Sequence, residues 1–147
     1  MAASAWAVVH TAKNRIGDKQ IDLNTDVFKC MLLSSAWTPD LAAQADYADI
    51  SANELTTANG YTAGGLALTS VTWANSAGTQ TWDADDPLWT ATDSGITARY
   101  AVIYDDTDTS KTLICYSLLD TAPADVTADA GNAFVIQLDA SGLFTLA

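Results

Sequence analysis

Histidine and glutamate occur once each in this chain, as His10 and Glu54, and basic residues are scarce. With a single histidine, any Ser-His-Asp or Cys-His mechanism must run through His10. That residue falls in a segment that reads as helix, where the plain assignment is a surface side chain. Cys30 and Cys115 lie far apart, which does not provide the clustered spacing of a zinc site. Each sits in an apolar, strand-like run, so both are read as reduced core thiols, with a disulfide between them as the alternative. Six Lys and Arg stand against eighteen Asp and Glu, a net charge of −12 that repels phosphates and argues against nucleic acid as a partner. The N-terminus has no basic stretch ahead of an apolar one, and no apolar run exceeds strand length. Neither a signal peptide nor a membrane span is expected, so no membrane partner is either.

What is present is a chain of 147 residues, 49% hydrophobic, long enough for one sizeable core. Period-2 alternation is clearest over residues 96–104, with Ile96, Ala98, Tyr100, Val102 and Tyr104 on one face and Thr97 and Arg99 on the other. Residues 105–110 follow as turn chemistry and Thr112–Leu119 as the returning strand, a hairpin in the middle of a sheet. Further strands are expected at Asp26–Ser34, Gly65–Trp73, Thr79–Asp83, Pro87–Ala91, Ala133–Asp139 and Leu143–Leu146. The fold class is therefore mostly β: a single-domain β-sandwich or jelly-roll-like barrel of about eight strands with a short N-terminal helix. Residues 1–20 read as an N-terminal helix or arm and 21–147 as one β domain. The helix is placed over Ala2–Ile16, ending at Gly17, with an edge strand over Trp6–Val9 as the alternative. A long ordered connection spans 35–64. It carries a Thr38-Pro39 helix start and a Ser51-Ala52-Asn53-Glu54 capping box.

Little of this supports catalysis. The groups Asp83-Ala84-Asp85-Asp86 and Asp105-Asp106-Thr107-Asp108 supply the oxygens a calcium ion needs. The second begins like an EF-hand loop at Asp106, Asp108 and Ser110, but Lys111 takes the glycine position and Ser117 that of the bidentate glutamate. Both groups read as solvated turns, and no metal or cofactor is expected. Glycoside hydrolysis needs a pair of acids, and Glu54 is accounted for as a helix cap; Trp and Tyr at strand spacing read as core rather than sugar platforms. Gly60-Tyr61-Thr62-Ala63-Gly64-Gly65 lacks the lysine of a phosphate loop and reads as a tight bend before a strand.

Three stretches, Ile21-Asp22-Leu23-Asn24-Thr25-Asp26-Val27-Phe28-Lys29, Gly60 to Gly65, and Thr97-Ala98-Arg99-Tyr100-Ala101-Val102-Ile103-Tyr104, occur in an order and spacing that resemble small virion structural proteins of tailed bacteriophages and prophages. The likeness runs from about Ala7 to the C-terminal Gly142-Leu143-Phe144-Thr145-Leu146, and its motifs are structural. It implies a non-enzymatic, β-rich building block of a virus particle, either a capsid decoration (cement) protein or a tail-associated one, and it carries over no active-site residue. The expected place is the outer capsid surface after synthesis in the host cytoplasm. The expected partners are the major capsid protein and copies of itself in a homo-oligomer such as a trimer. A carbohydrate-binding role at a tail or fibre is the competing reading.

Candidate interface residues follow from charge and aromaticity. Lys13, Arg15 and Lys19 form a basic arm on an acidic body, suited to an acidic neighbour, or simply complement a helix C-terminus. Trp37, Tyr47 and Tyr61 in the long connection are expected to anchor a partner, with capping of the sandwich by inward-turned rings as the alternative.

Overall fold

The apolar run Phe28–Leu33 forms strand β2, and because it is buried almost throughout it occupies the centre of the molecule. A computed structural model describes residues 3–122 and 124–147. In chain order the elements are β1 (Ala7–Val8), α1 (His10–Gly17), β2, α2 (Tyr47–Ile50), a 3₁₀ turn (Ser51–Asn53), β3 (Leu66–Ala67), β4 (Thr72–Ser76) and β5 (Thr79–Asp83). There follow β6 (Leu88–Thr90), β7 (Ile96–Ala98), β8 (Tyr100–Asp105), β9 (Leu113–Leu118), β10 (Val126–Ala128), β11 (Ala133–Val135) and β12 (Phe144–Leu146). The chain is thus mostly β and sandwich-like, with twelve short strands among the described residues where about eight were expected.

All strand pairs are antiparallel. The main sheet has the order β1-β9-β8-β2-β3, and three small sheets, β12-β5-β4, β11-β6 and β10-β7, make up the rest. The main sheet is covered on both faces. On the face of Tyr100, Val102, Tyr104 and Tyr116, the Trp37 ring meets Tyr100 and Tyr116 edge-on at 4.9 and 5.2 Å, and Tyr47 lies over Tyr104 at 5.1 Å. On the opposite face, Phe28 meets Trp82 of β5 at 4.9 Å. Double cover explains why Ala101 to Asp105 are all buried, whereas alternation suggested one polar face.

Several expected elements are corrected. Residues 96–104 are two strands in different sheets, broken at Arg99. There the backbone bridges Leu33 and Leu119 while the guanidinium Nε donates to Asp125 Oδ1 at 2.6 Å. Gly65–Trp73 is likewise split, into β3 of the main sheet and β4 of a small one. The helix expected over Ala2–Ile16, whose first residue lies outside the described residues, begins only at His10. Ala7 and Val8 instead pair with Tyr116 and Cys115, so the edge-strand alternative holds there, and β1 builds the N-terminal segment into the domain. Thr38-Pro39 starts no helix, only a turn closed by Gln44 N to Asp40 O. The capping box lies at Asp46 and Asp49, not at Ser51 and Glu54: the Asp49 carboxylate accepts from the N–H groups of Ala45 and Asp46.

Cys30 and Cys115 are buried and free. Both are register partners of Ile103, on either side of β8, so two strand spacings separate them, about 10 Å. A disulfide needs Cα atoms within about 7 Å, and burial pushes both thiols up. No described helix is long and apolar enough to cross a membrane.

Candidate assembly surface

Arg15, in the last turn of α1, does not reach outward. Its Nη1 lies 2.9 Å from Asp46 Oδ1 and 3.2 Å from Asp108 Oδ2, and it also meets Thr112 Oγ1. The acidic neighbour of the basic arm is therefore this chain's own connection and the β8–β9 turn. Lys13 and His10 remain exposed on α1.

The connection 35–64 turns its aromatic rings inward. Trp37 is 4% exposed and Tyr61 2%, and Trp37 Nε1 donates to Gln44 Oε1 at 3.1 Å. Its far end seals the side of β2 beyond the two-residue β3. There the Leu32 N–H donates to the Tyr61 hydroxyl at 3.1 Å, and the Leu32 carbonyl accepts from Leu55 N at 3.0 Å. Glu54 is the node of this seal. Its carboxylate accepts from the Tyr47 hydroxyl, the Tyr61 hydroxyl and the Gly64 N–H, each at 2.6 Å. Tyr104 donates to the Gly64 carbonyl at 2.7 Å. Desolvation, then the Glu54 bond, pushes the Tyr47 phenol up to about 12; Tyr61 and Tyr104 are also raised, chiefly by burial. A glutamate read as a helix cap is thus a tertiary clasp. The sequence signal was its being the single long-armed acid among many aspartates.

Asp85 and Asp86 of the first acidic turn are exposed, as a solvated turn requires, whereas the second turn is tied down. Asp106 bridges Lys29 and Lys111 at 2.8 and 2.9 Å, and those contacts, the Lys29 hydrogen bond first, hold its carboxyl below the usual range. Asp108 is also lowered: partial burial opposes this, but the bonds from Thr112 and Ser110 and the Arg15 charge outweigh it. Asp85 accepts from the Thr69 and Ser70 hydroxyls, and Asp86 from Leu138 N. Among the described residues no group of three or more His, Cys, Asp or Glu is placed to hold a metal ion.

Asp105 ends β8 fully buried. Its Oδ1 accepts from the N–H groups of Thr107 and Asp108, while Oδ2 finds no hydrogen-bond partner among the described residues. Desolvation pushes its carboxyl up to about 6; the two N–H groups pull against this and neighbouring Asp26 adds to it. Because the folded form holds this proton more tightly than the unfolded chain, the group's stabilisation is complete below about pH 4. It is lost as pH rises through about 6. Asp106 and Asp108 act oppositely, losing their contribution as pH falls below the ordinary carboxylate range. The melting temperature should therefore peak near about pH 4 to 5. Asp105→Asn keeps the Oδ1 acceptor and should remove most of the decline between pH 5 and 7. Thermal unfolding of both proteins across that range checks this; an unchanged decline in the variant would contradict the assignment.

Charge patterning marks one further surface. From Leu55 to Trp82 no Asp, Glu, Lys or Arg occurs, although the chain carries −12 overall. This stretch includes β4 and all of β5 except its last residue, Asp83, and the hairpin's outer residues, Ala74 to Gly78, are exposed. On the separate β6–β11 pair, Leu88 and Val135 are register partners, 48% and 44% exposed, forming a small apolar patch. No family model, no curated protein and no solved structure matches this chain.

Proposed function

We propose that this chain is a non-enzymatic structural subunit of a tailed-bacteriophage particle, a decoration protein bound to the major capsid protein on the outer surface of the head. The observation that carries the reading is the resemblance of its three stretches to phage virion proteins. Those stretches supply scaffold parts: the segment leading into β2, the bend held by Glu54, and the β7–β8 corner. Two further features support it. The side chains best suited to chemistry, Glu54, Arg15 and the Asp105–Asp108 turn, are engaged in holding loops to the sheet. The acidic body is repelled by packaged DNA and suits the outer side of a shell. With Trp37 and Tyr61 turned inward, contact with the shell falls to exposed groups, Lys13 among them.

Binding of the purified protein to particles of its own phage that lack it tests the reading. Saturable binding to heads, in a copy number that matches shell symmetry, is the expected result. Binding to tails alone would move the assignment to a tail-associated protein, and binding to neither would reject it. A saturable signal on a glycan array would favour the carbohydrate-binding reading.

A further inference from the structure

Strand β4 is the outermost strand of its sheet, paired with β5 on one side only. The hairpin closes through Ala77 and Gly78, both at positive φ (51° and 91°), the signature of a two-residue turn that matches the twist of the flanking strands. Ser76 and Thr79 are then the hydrogen-bonded pair beside the turn. Alternation down the ladder directs the backbone groups of Thr72, Ala74 and Ser76 toward β5. Those of Trp73 and Asn75 point to the open side, where no described residue takes them. Proteins normally protect such an edge with charge, proline or a bulge; β4 has no charged residue, no proline and an unbroken register with β5.

We infer that this edge pairs with the same edge of a second copy, antiparallel across a two-fold axis through Ala74. In that register Trp73 faces Asn75 of the other copy and Asn75 its Trp73. Each pair exchanges two backbone hydrogen bonds, and the two three-stranded sheets join into one of six. Charge selects the occupant. A basic partner would be drawn to the acidic surface, whereas a copy that itself carries −12 meets least repulsion along β4, which has no charge of its own and meets Asp83 only across from Thr72, at the end away from the turn. The geometry is self-complementary as a two-fold requires. Ala74 opposes Ala74 at a non-hydrogen-bonded position, where Cα atoms approach to about 4.5 Å and a small side chain fits. The half-buried Trp73 gains cover. Pairing with a copy goes beyond the virion reading and does not depend on it: head binding can fail while the dimer stands, and the reverse.

Cross-linking and sedimentation test it on the intact chain. Because Cys30 and Cys115 are buried, Ala74→Cys places the accessible thiol at the two-fold, at a spacing a disulfide spans. With oxidised glutathione, which leaves as two reduced glutathione molecules when the bond forms, Ala74→Cys should give several-fold more covalent dimer than Thr90→Cys, exposed on β6. Sedimentation of the wild type should show a dimer that strengthens with salt, since screening weakens like-charge repulsion. Asn75→Pro removes an outward N–H without touching the β5 ladder, at the cost of the weak turn contact from Gly78 N to Asn75 Oδ1 at 3.4 Å, and should give a folded monomer that keeps the wild-type circular dichroism spectrum. Cross-linking no greater than in Thr90→Cys, a wild-type monomer or trimer, or a dimer that survives Asn75→Pro would overturn the pairing.

Discussion

Gly65→Ala should abolish soluble folded protein, while Gly64→Ala beside it should be tolerated. Both residues sit at positive φ, 73° and 93°, where an added side chain costs about 1–2 kcal/mol. They differ in what a Cβ would meet. At Gly64, among the described residues beyond its chain neighbours, the Tyr104 hydroxyl alone lies within 4 Å, at 3.9 Å. At Gly65 a Cβ would fall 2.1 Å from the Cys30 carbonyl oxygen, 2.7 Å from its carbon and 2.9 Å from Met31 Cα. Those atoms belong to β2, which is fixed by pairing with β8 along its whole length. Neither side can yield without breaking the main sheet, so the cost should exceed about 4 kcal/mol, a large part of a typical domain's stability. Soluble yield and the circular dichroism spectrum of the two variants check this. Equal tolerance would mean that the bend does not press on β2 as described.

Removing the Glu54 clasp should have the next largest effect. Glu54→Ala deletes an acceptor shared by two phenols and one backbone N–H, and it strands the Tyr61 hydroxyl, which is buried and also caps the Leu32 N–H. Hydrogen bonds to a charged group contribute about 1.5–3 kcal/mol each but do not add fully within a network, so a loss of about 3–5 kcal/mol is expected. For a chain of this size that lowers the melting temperature by about 10 °C. Tyr47→Phe and Tyr61→Phe should each cost less. Combined with Glu54→Ala they should be strongly non-additive, because the partner is already gone. Additive losses in denaturant titrations would show that the three groups act separately.

The clasp holds two of the connection's inward rings, Tyr47 and Tyr61, and packing on the sheet holds Trp37. Aromatic content in a long loop suggested a contact surface, yet each ring has a tertiary partner: Trp37 on Tyr100 and Tyr116, Tyr47 on Tyr104, Tyr61 on Trp89. The connection replaces a missing strand along β2 and roofs one face of the sheet. The loop is thus long because it covers a sheet that would otherwise expose apolar surface on one side.

Some features were determined by the sequence alone because their causes are local. The β5 strand, the turn after Asp105 and the bend at Gly60–Gly65 follow from short-range pattern; that the two cysteines are free was left open by the sequence and decided by their places on either side of β8. The tertiary structure decided which strands continue and which break. Ile96–Tyr104 alternates without interruption in sequence, yet it divides at Arg99 because Ile96–Ala98 finds β10 and Tyr100–Asp105 finds β2 and β9. It also decided that Arg15 meets Asp46 and Asp108, and that Glu54 gathers two tyrosines and a glycine. Periodicity reports which face of a strand is apolar; it carries no information about the partner that will cover that face. Pairing is chosen by contacts between residues distant in the chain, and only the assembled sheet shows which backbone groups, such as those of Trp73 and Asn75, are left without one.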